Sequence, residues 1–360
     1  MKKTSLILLI ALLTAVCAYA ADGIKWLSTD YDFGSFREVE GKKTGRVQFV
    51  NIGSEPTIIT RVKPTCGCTV AEFTQGEIAP GDTATVSFTY NPAGRPGMFI
   101  KHLRVYTGTN EDISEITIKG KVIGAPETLA ADYPVVAGAL RLSTDTLNMG
   151  HLTEGKSRNE FIHGYNQSSD TLALSYTDVP KALSIGVSSN KITPGDIFTL
   201  SVYLNSSTEL EPGPNELKFN ICSTAGGETS VIPFTVKCFI DKDFSKLSPE
   251  EMKNAPVVNI FPTTLELGTV SADDKNLKTE VTILNEGITP LTIRRIYSPQ
   301  LALKKTTKIP LVIKAGQKKK LEVVLDASNI PAGLFNIPIE ILTDDPIRPN
   351  TRFRVVGTRK

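Results

Sequence analysis

Along most of the chain, apolar and polar residues alternate one for one. Arg46-Val47-Gln48-Phe49-Val50, Thr85-Val86-Ser87-Phe88-Thr89-Tyr90 and Leu321-Glu322-Val323-Val324-Leu325 are clear examples. A period of two places successive side chains on opposite faces of an extended strand, one toward a core and one toward solvent. Val, Ile, Thr and Phe dominate these runs, and 27 Gly and 22 Pro punctuate them. Turn signals recur roughly every eight to twelve residues, which predicts about seven antiparallel strands per hundred residues in two sheets packed face to face.

The plan is repeated three times. An apolar residue precedes glycine at Phe33-Gly34, Met149-Gly150 and Leu267-Gly268. An asparagine then ends an alternating run at Asn51, Asn166 and Asn285, which is 17, 16 and 17 positions after those glycines. A turn follows at Pro80-Gly81-Asp82, Pro194-Gly195-Asp196 and Ala315-Gly316-Gln317, and a second one at Pro96-Gly97, Pro212-Gly213 and Pro331-Ala332-Gly333. Landmarks that hold register to within two residues across three copies identify an internal repeat. The expected architecture is all-β, with three tandem immunoglobulin-like β-sandwich domains at 22–124, 138–241 and 256–360. Two short connectors separate them. Residues 125–138 begin and end with strand breakers, and 241–256 contain Ser248-Pro249-Glu250-Glu251, a helix cap followed by proline and acids, which predicts one or two helical turns. Connectors this short favour an elongated rod over beads on flexible strings.

The start of the chain sets the expected compartment. Lys2 and Lys3, the apolar run Leu6 to Val16 and Ala18-Tyr19-Ala20 have the three-part layout of a secretory signal peptide, assigned to residues 1–20. That run is too short to cross roughly 30 Å of hydrocarbon, and no later stretch is longer, so no transmembrane segment is expected. Cys17 raises the alternative of a lipid anchor, but Val16 stands where lipoproteins place a small residue, and the Ala18-Tyr19-Ala20 site fits cleavage better. The expected product is exported to the periplasm or cell surface. Beyond the leader, 38 basic residues face 38 acidic ones, so net charge points to no nucleic-acid partner. An envelope protein or a polysaccharide is the expected class of partner.

The stretch from Asp32 to Val70, DFGSFREVEGKKTGRVQFVNIGSEPTIITRVKPTCGCTV, with the later IAPGDTATVSFTYNP, resembles the bacterial family catalogued as domain of unknown function 1573. The features in common are an aliphatic residue before glycine, a strand ending in Asn-x-Gly, a Cys-Gly-Cys-Thr segment and a Pro-Gly turn. The third copy resembles it too, through Asn285-Glu286-Gly287 and LTDDPIRPNTRFRVVG, whereas the middle copy has Asn166-Gln167-Ser168 and no cysteine pair. The family is similar in turn to the immunoglobulin-like domains of major sperm protein, hydin-type ciliary proteins and pilus chaperones. The resemblance implies a sandwich fold and a cell-envelope setting, and no activity. Asp82-Thr83-Ala84, Asp145-Thr146-Leu147 and Asp170-Thr171-Leu172 also resemble an acceptor site for O-glycosylation of exported proteins in some Gram-negative bacteria; the alternative is ordinary turn chemistry.

Candidate chemistry is sparse. Cys66 and Cys68 flank Gly67, and the same count from the strand-ending asparagine reaches Lys181 and Gln300 in the other copies, beside Pro180 and Pro299. The fold therefore does not require the cysteines. The plainest reading is a structural turn, with Gly67 permitting a tight bend, or a passive disulfide whose small ring would be easily reduced. Two others stay open: a redox or partner-linking thiol pair, for which Lys63 gives slight support, and a Cu(I) site. His102, His151 and His163 show no ligand spacing, so no metal site, cofactor or catalytic residue is assigned. In the hairpin around Ala225-Gly226-Gly227-Glu228, Cys222 should face residue 231, which leaves Cys238 out of disulfide reach; both are expected to be buried and unreactive. Arg294, Arg295, Lys304, Lys305, Lys318, Lys319 and Lys320, with Lys308 and Lys314, would form an anionic-partner patch if they share a face; a solvated lysine-rich edge is the alternative. Trp26 is placed ahead of the first strand, packing a domain end.

Overall fold

The structure, a computed structural model, describes residues 23–108, 112–207 and 210–360; the expected leader 1–20 and Cys17 lie outside them. The first nine strands are β1 (Ile24–Trp26), β2 (Asp30–Arg37), β3 (Lys43–Asn51), β4 (Thr57–Pro64), β5 (Thr69–Phe73), β6 (Glu77–Ile78), β7 (Thr83–Tyr90), β8 (Gly97–Thr107) and β9 (Asp112–Ile123). They form two sheets, ordered β1-β3-β7-β5 and β2-β9-β8-β4-β6. The next nine are β10 (Val135–Ala137), β11 (Leu140–Leu142), β12 (Thr146–Thr153), β13 (Ser157–Asn166), β14 (Ala173–Thr177), β15 (Leu183–Val187), β16 (Ile197–Asn205), β17 (Gly213–Ala225) and β18 (Glu228–Asp241), in sheets β10-β11-β13-β16-β15 and β12-β18-β17-β14. The last nine are β19 (Val258–Phe261), β20 (Thr264–Val270), β21 (Asn276–Asn285), β22 (Leu291–Tyr297), β23 (Leu303–Thr306), β24 (Leu311–Ile313), β25 (Lys318–Asp326), β26 (Gly333–Thr343) and β27 (Asn350–Arg359), in sheets β19-β21-β25-β23 and β20-β27-β26-β22-β24.

Each pair of sheets closes on its own apolar cluster, around Phe49, Phe88 and Leu103, around Leu200, Ile221 and Phe234, and around Ile283, Val323 and Phe353. The fold is thus all-β, with tandem β-sandwiches, as the alternation implies. Three details differ from the sequence-based expectation. Each sandwich has nine described strands rather than about seven, the extra ones being two to four residues long. Trp26 is the last residue of β1 and packs edge-on against Phe49 at 4.9 Å. Each sandwich also contains one parallel pair, β2 with β9, β12 with β18 and β20 with β27. Parallel pairing arises because the opening stretch of each sandwich is divided between the two sheets, so that its second piece runs beside the last strand in the same direction. Side-chain alternation is the same for either strand direction and gives no warning of this. A bulge interrupts each parallel pair at Gly34, Gly150 and Gly268, whose φ values of +67°, +65° and +65° explain why glycine recurs there.

The strand-ending asparagines are buried in all three sandwiches, at 2%, 0% and 0% exposure. The Asn51 amide donates to Glu55 O at 2.8 Å and Ile78 O at 2.9 Å, and its oxygen accepts from Gly53 N at 3.0 Å. Asn166 makes the same three bonds with Asp170 O, Ile192 O and Ser168 N. Asn285 repeats them with Thr289 O, Ile313 O and Gly287 N. The backbone of each asparagine also pairs with the first Gly-containing turn, through Gly81, Gly195 and Gly316. One side chain thereby ties a strand end to its own loop and to a strand or bridge 26 to 28 residues on, which is why the spacing between landmarks is held.

The connectors carry more structure than expected. Pro249–Lys253 is a short helix capped by Ser248, whose hydroxyl accepts from Glu251 N, as the motif implies. The first connector also holds a helical turn, Pro126–Leu129, and Val135–Ala137 is already β10 of the second sandwich. Glu38 fastens this connector to the first sandwich: its carboxylate accepts from Gly94 N at 2.6 Å, Ala125 N at 2.8 Å and the Thr128 hydroxyl at 2.9 Å. The junction is completed by Gly124 N donating to the Tyr165 hydroxyl at 2.8 Å and by the Lys121 ammonium bonded to Asp196 at 2.6 Å. Burial pushes both carboxyls up, but the hydrogen bonds they accept outweigh it and hold Glu38 and Asp196 below their ordinary values.

Two outcomes follow. Trp26 is the single tryptophan, so its fluorescence follows the unfolding of the first sandwich. Asn51→Ala removes three hydrogen bonds at once and lowers the denaturation stability read there by about 3 kcal/mol; Asn51→Asp costs at least as much at neutral pH, because a carboxylate then faces two carbonyl oxygens. A carboxyl depressed in the folded state adds stability that is complete above its unfolded pKa and is lost as pH falls through the folded one. The thermal midpoint accordingly drops as pH falls below the ordinary carboxylate range and through the depressed carboxyls, and calorimetry shows a smaller drop in Glu38→Ala.

Candidate functional site

The cysteine bend connects β4, in the five-stranded sheet of the first sandwich, to β5 in the opposite sheet. The corresponding crossovers join β14 to β15 and β22 to β23, and both lack cysteine. The same crossover is therefore built three times, once with sulfur. Cys66 and Cys68 are joined by a disulfide, with their Cα atoms 5.3 Å apart. Backbone bonds hold the bend on both sides: Thr65 N donates to His102 O at 3.0 Å, and Asn91 N to Cys68 O at 2.9 Å. The buried Thr69 hydroxyl lies 3.6 Å from the Cys66 sulfur and 3.8 Å from that of Cys68. Gly67 does not have the left-handed backbone that a glycine-dependent bend requires, and a Cβ there would meet open space. The expectation that Gly67 serves a tight turn is corrected accordingly.

His102, Asn91 and Thr69 complete the bend, a role the sequence reading gave to none of them. The first two arrive from β8 and the segment after β7, contacts with no trace in local spacing; Thr69 directly follows Cys68 in the Cys-Gly-Cys-Thr segment. The His102 ring is 3.4 Å from Glu115, His151 is 3.0 Å from Asp241 and stacks on Phe239, and His163 bonds Thr199 at 3.3 Å. Among the described residues, no group of three or more His, Cys, Asp or Glu is placed to hold a metal, and no helix is long and apolar enough to cross a membrane.

The basic residues are divided between two sheets. Arg294 and Arg295 belong to β22, while Lys304 and Lys305 lie on the edge strand β23 and Lys318, Lys319 and Lys320 on β25. Several have local partners: Arg294 with Asp344 at 3.8 Å, Lys304 with Asp326 at 3.0 Å and Lys320 with Glu280 at 2.7 Å. Cys222 faces Val231, as counted, and neither it nor Cys238 is bonded to another cysteine. Cys222 is only half-buried, which corrects the expectation that both are enclosed; burial pushes the Cys238 thiol up. Cys238 pairs with Asn215, where Gly120 and Gly357 lie beneath the rings of Phe99 and Phe335, so a side chain fits in the second sandwich that the other two exclude. Thr83, Thr146 and Thr171 of the Asp-Thr triplets are all exposed.

Because two sister sandwiches form this crossover without sulfur, the disulfide adds little to the fold. The closed loop is three residues long, Cys66 to Cys68, for which chain entropy gives about 1.6 kcal/mol. The double variant Cys66→Ser, Cys68→Ser lowers stability read by Trp26 fluorescence by no more than that and leaves the circular dichroism spectrum unchanged.

A search of curated proteins finds no match. Among solved structures, a protein of unknown function from Porphyromonas gingivalis W83 aligns with 61% of this chain and 100% of its own, at 19% identity and a TM-score of 0.48. The endo-fucoidan hydrolase MfFcnA4 aligns with 88% of this chain and 41% of its own, at 16% identity and 0.27. A PapD-like domain of human CEP192 aligns with 32% of this chain and 92% of its own, at 12% identity and 0.23. The family model described as a protein of unknown function (DUF1573) matches residues 24–122, from the start of β1 into β9, so the likeness read from the first copy is borne out over that sandwich.

Proposed function

We propose that the chain is an exported scaffold of the bacterial cell envelope without catalytic activity of its own, in which sandwiches at 22–124, 138–241 and 256–360 act as spaced units that present surfaces to an envelope protein or polysaccharide. The observation that carries this is the first junction, where Glu38, Lys121 and Tyr165 bind connector and neighbouring sandwich by short hydrogen bonds. A junction fastened at that many points sets the angle between units, which is useful to a spacer and irrelevant to independent beads. Export rests on the charged, apolar and small-residue segments of the first twenty residues. With its two sulfurs bonded to each other, the bend of the first sandwich offers no thiolate to a metal ion.

Cell fractionation with N-terminal sequencing tests the proposal. The expected result is a chain starting near Ala21 in the periplasmic or surface fraction, from which cross-linking recovers envelope components. A chain that keeps Met1 and remains in the cytoplasm contradicts it.

A further inference from the structure

The outer face of the five-stranded sheet in the second sandwich differs from its counterparts. β16 lies between β13 and β15, with Phe161 opposite Ser201 and Ser201 opposite Gly186, and with Asn159 opposite Tyr203 and Tyr203 opposite Ser184. Their alternating neighbours Ile162, Leu200 and Val202 are buried in the core, so these residues face outward. Phe161 is 57% exposed, Tyr203 42% and Ile197 60%. No Asp, Glu, Lys or Arg stands at an outward position from Ser157 to His163 of β13, from Ile197 to Asn205 of β16, or at Ser184 and Gly186 of β15.

The fold does not demand this. β21 and β25 stand in the third sandwich where β13 and β16 stand in the second, each first strand ending at its buried asparagine. Their outer face carries Lys278, Glu280, Lys318, Lys320 and Glu322, with Lys320 paired to Glu280. The same face of the first sandwich carries Arg46 and Glu72. Charge is what keeps an exposed sheet soluble, and the exposed outer positions of β13, β16 and β15 do without it while presenting two aromatic rings; Arg141 of β11, on the same face, is buried and bonded to Gln167 and to Tyr133 O.

Phe161 and Tyr203 are diagonal cross-strand neighbours, a spacing of about 7–8 Å at the backbone. Around them stand hydroxyl, amide and imidazole groups, from Ser184, Ser201, Asn159 and His163. Aromatic rings offer flat apolar faces to the C–H side of a sugar ring, and neutral donors and acceptors meet its hydroxyls. The absence of charge gives no attraction for an anionic ligand. An open sheet face suits an extended chain better than an enclosed small molecule. We propose that this face binds a neutral polysaccharide. The inference deepens the scaffold proposal, on which it rests for the class of partner, by naming the face and the charge of the polysaccharide it takes.

Affinity electrophoresis of the full chain tests it, with dextran, mannan and galactan as neutral probes and alginate as an acidic one. At least one neutral polysaccharide retards the wild-type chain. Phe161→Ala and Tyr203→Ala each weaken that binding roughly tenfold, whereas Phe161→Tyr and the third-sandwich variant Lys320→Ala bind as the wild type does. Both alanine positions are exposed, and unchanged circular dichroism and thermal midpoints verify that these variants fold. The proposal is overturned if no neutral probe retards the chain, if alginate alone does, or if the alanine variants bind as the wild type does. Sedimentation showing a dimer that Phe161→Ala dissociates would instead assign the face to self-association. Failure of this test is distinguishable from failure of the scaffold proposal, which fractionation and N-terminal sequencing read independently.

Discussion

A buried carboxamide sits at the end of one strand in every sandwich, and much of the rest is arranged around it. Asparagine has two side-chain donors and an acceptor with two lone pairs. At Asn51, Asn166 and Asn285 both donors meet backbone carbonyls and the oxygen meets an amide. Unpaired backbone groups at such a depth are costly, so the loop after the strand and the distant segment facing it are positioned by the same residue. Aspartate lacks the donors, and an apolar residue would remove all three hydrogen bonds at once. The constraint explains why the intervals between landmarks persist while most other residues change.

Sameness of framework makes the differences between copies informative. A crossover that forms without sulfur twice shows that the fold does not require Cys66 and Cys68. An outer face that is charged in the third sandwich and uncharged at the exposed positions of β13, β16 and β15 in the second shows that Phe161 and Tyr203 are not imposed by the sheet. The basic residues of the third sandwich are divided between its two sheets, and Arg294, Lys304 and Lys320 stand in ion pairs. Fold and activity are separable properties, and in a repeated chain each copy serves as the control for its neighbours.

Strand content and repetition were legible because both are local: alternation marks strands, and Gly, Pro and Asn mark their ends. The capped helix after Ser248 and the pairing of Cys222 with Val231 were legible for the same reason. The parallel pairs were not, because strand direction leaves no mark on side-chain alternation. β1 and β10 were missed because three residues are too few to show a period. At the candidate site the equivalence of the three crossovers emerged by counting, whereas the positions of His102 and Asn91 depend on strands brought together only by folding. Whether the basic residues share a face likewise depended on which sheet each strand joins.

Site-resolved hydrogen exchange on the intact chain tests the central claim most directly. The amides of Gly53, Ser168 and Gly287 lie in loops, where exchange is ordinarily fast, yet each donates to the oxygen of a buried asparagine. The account predicts that all three exchange as slowly as the strand amides of their own sandwich, because they open only when it does. Exchange at the rate of unprotected loop amides would contradict it.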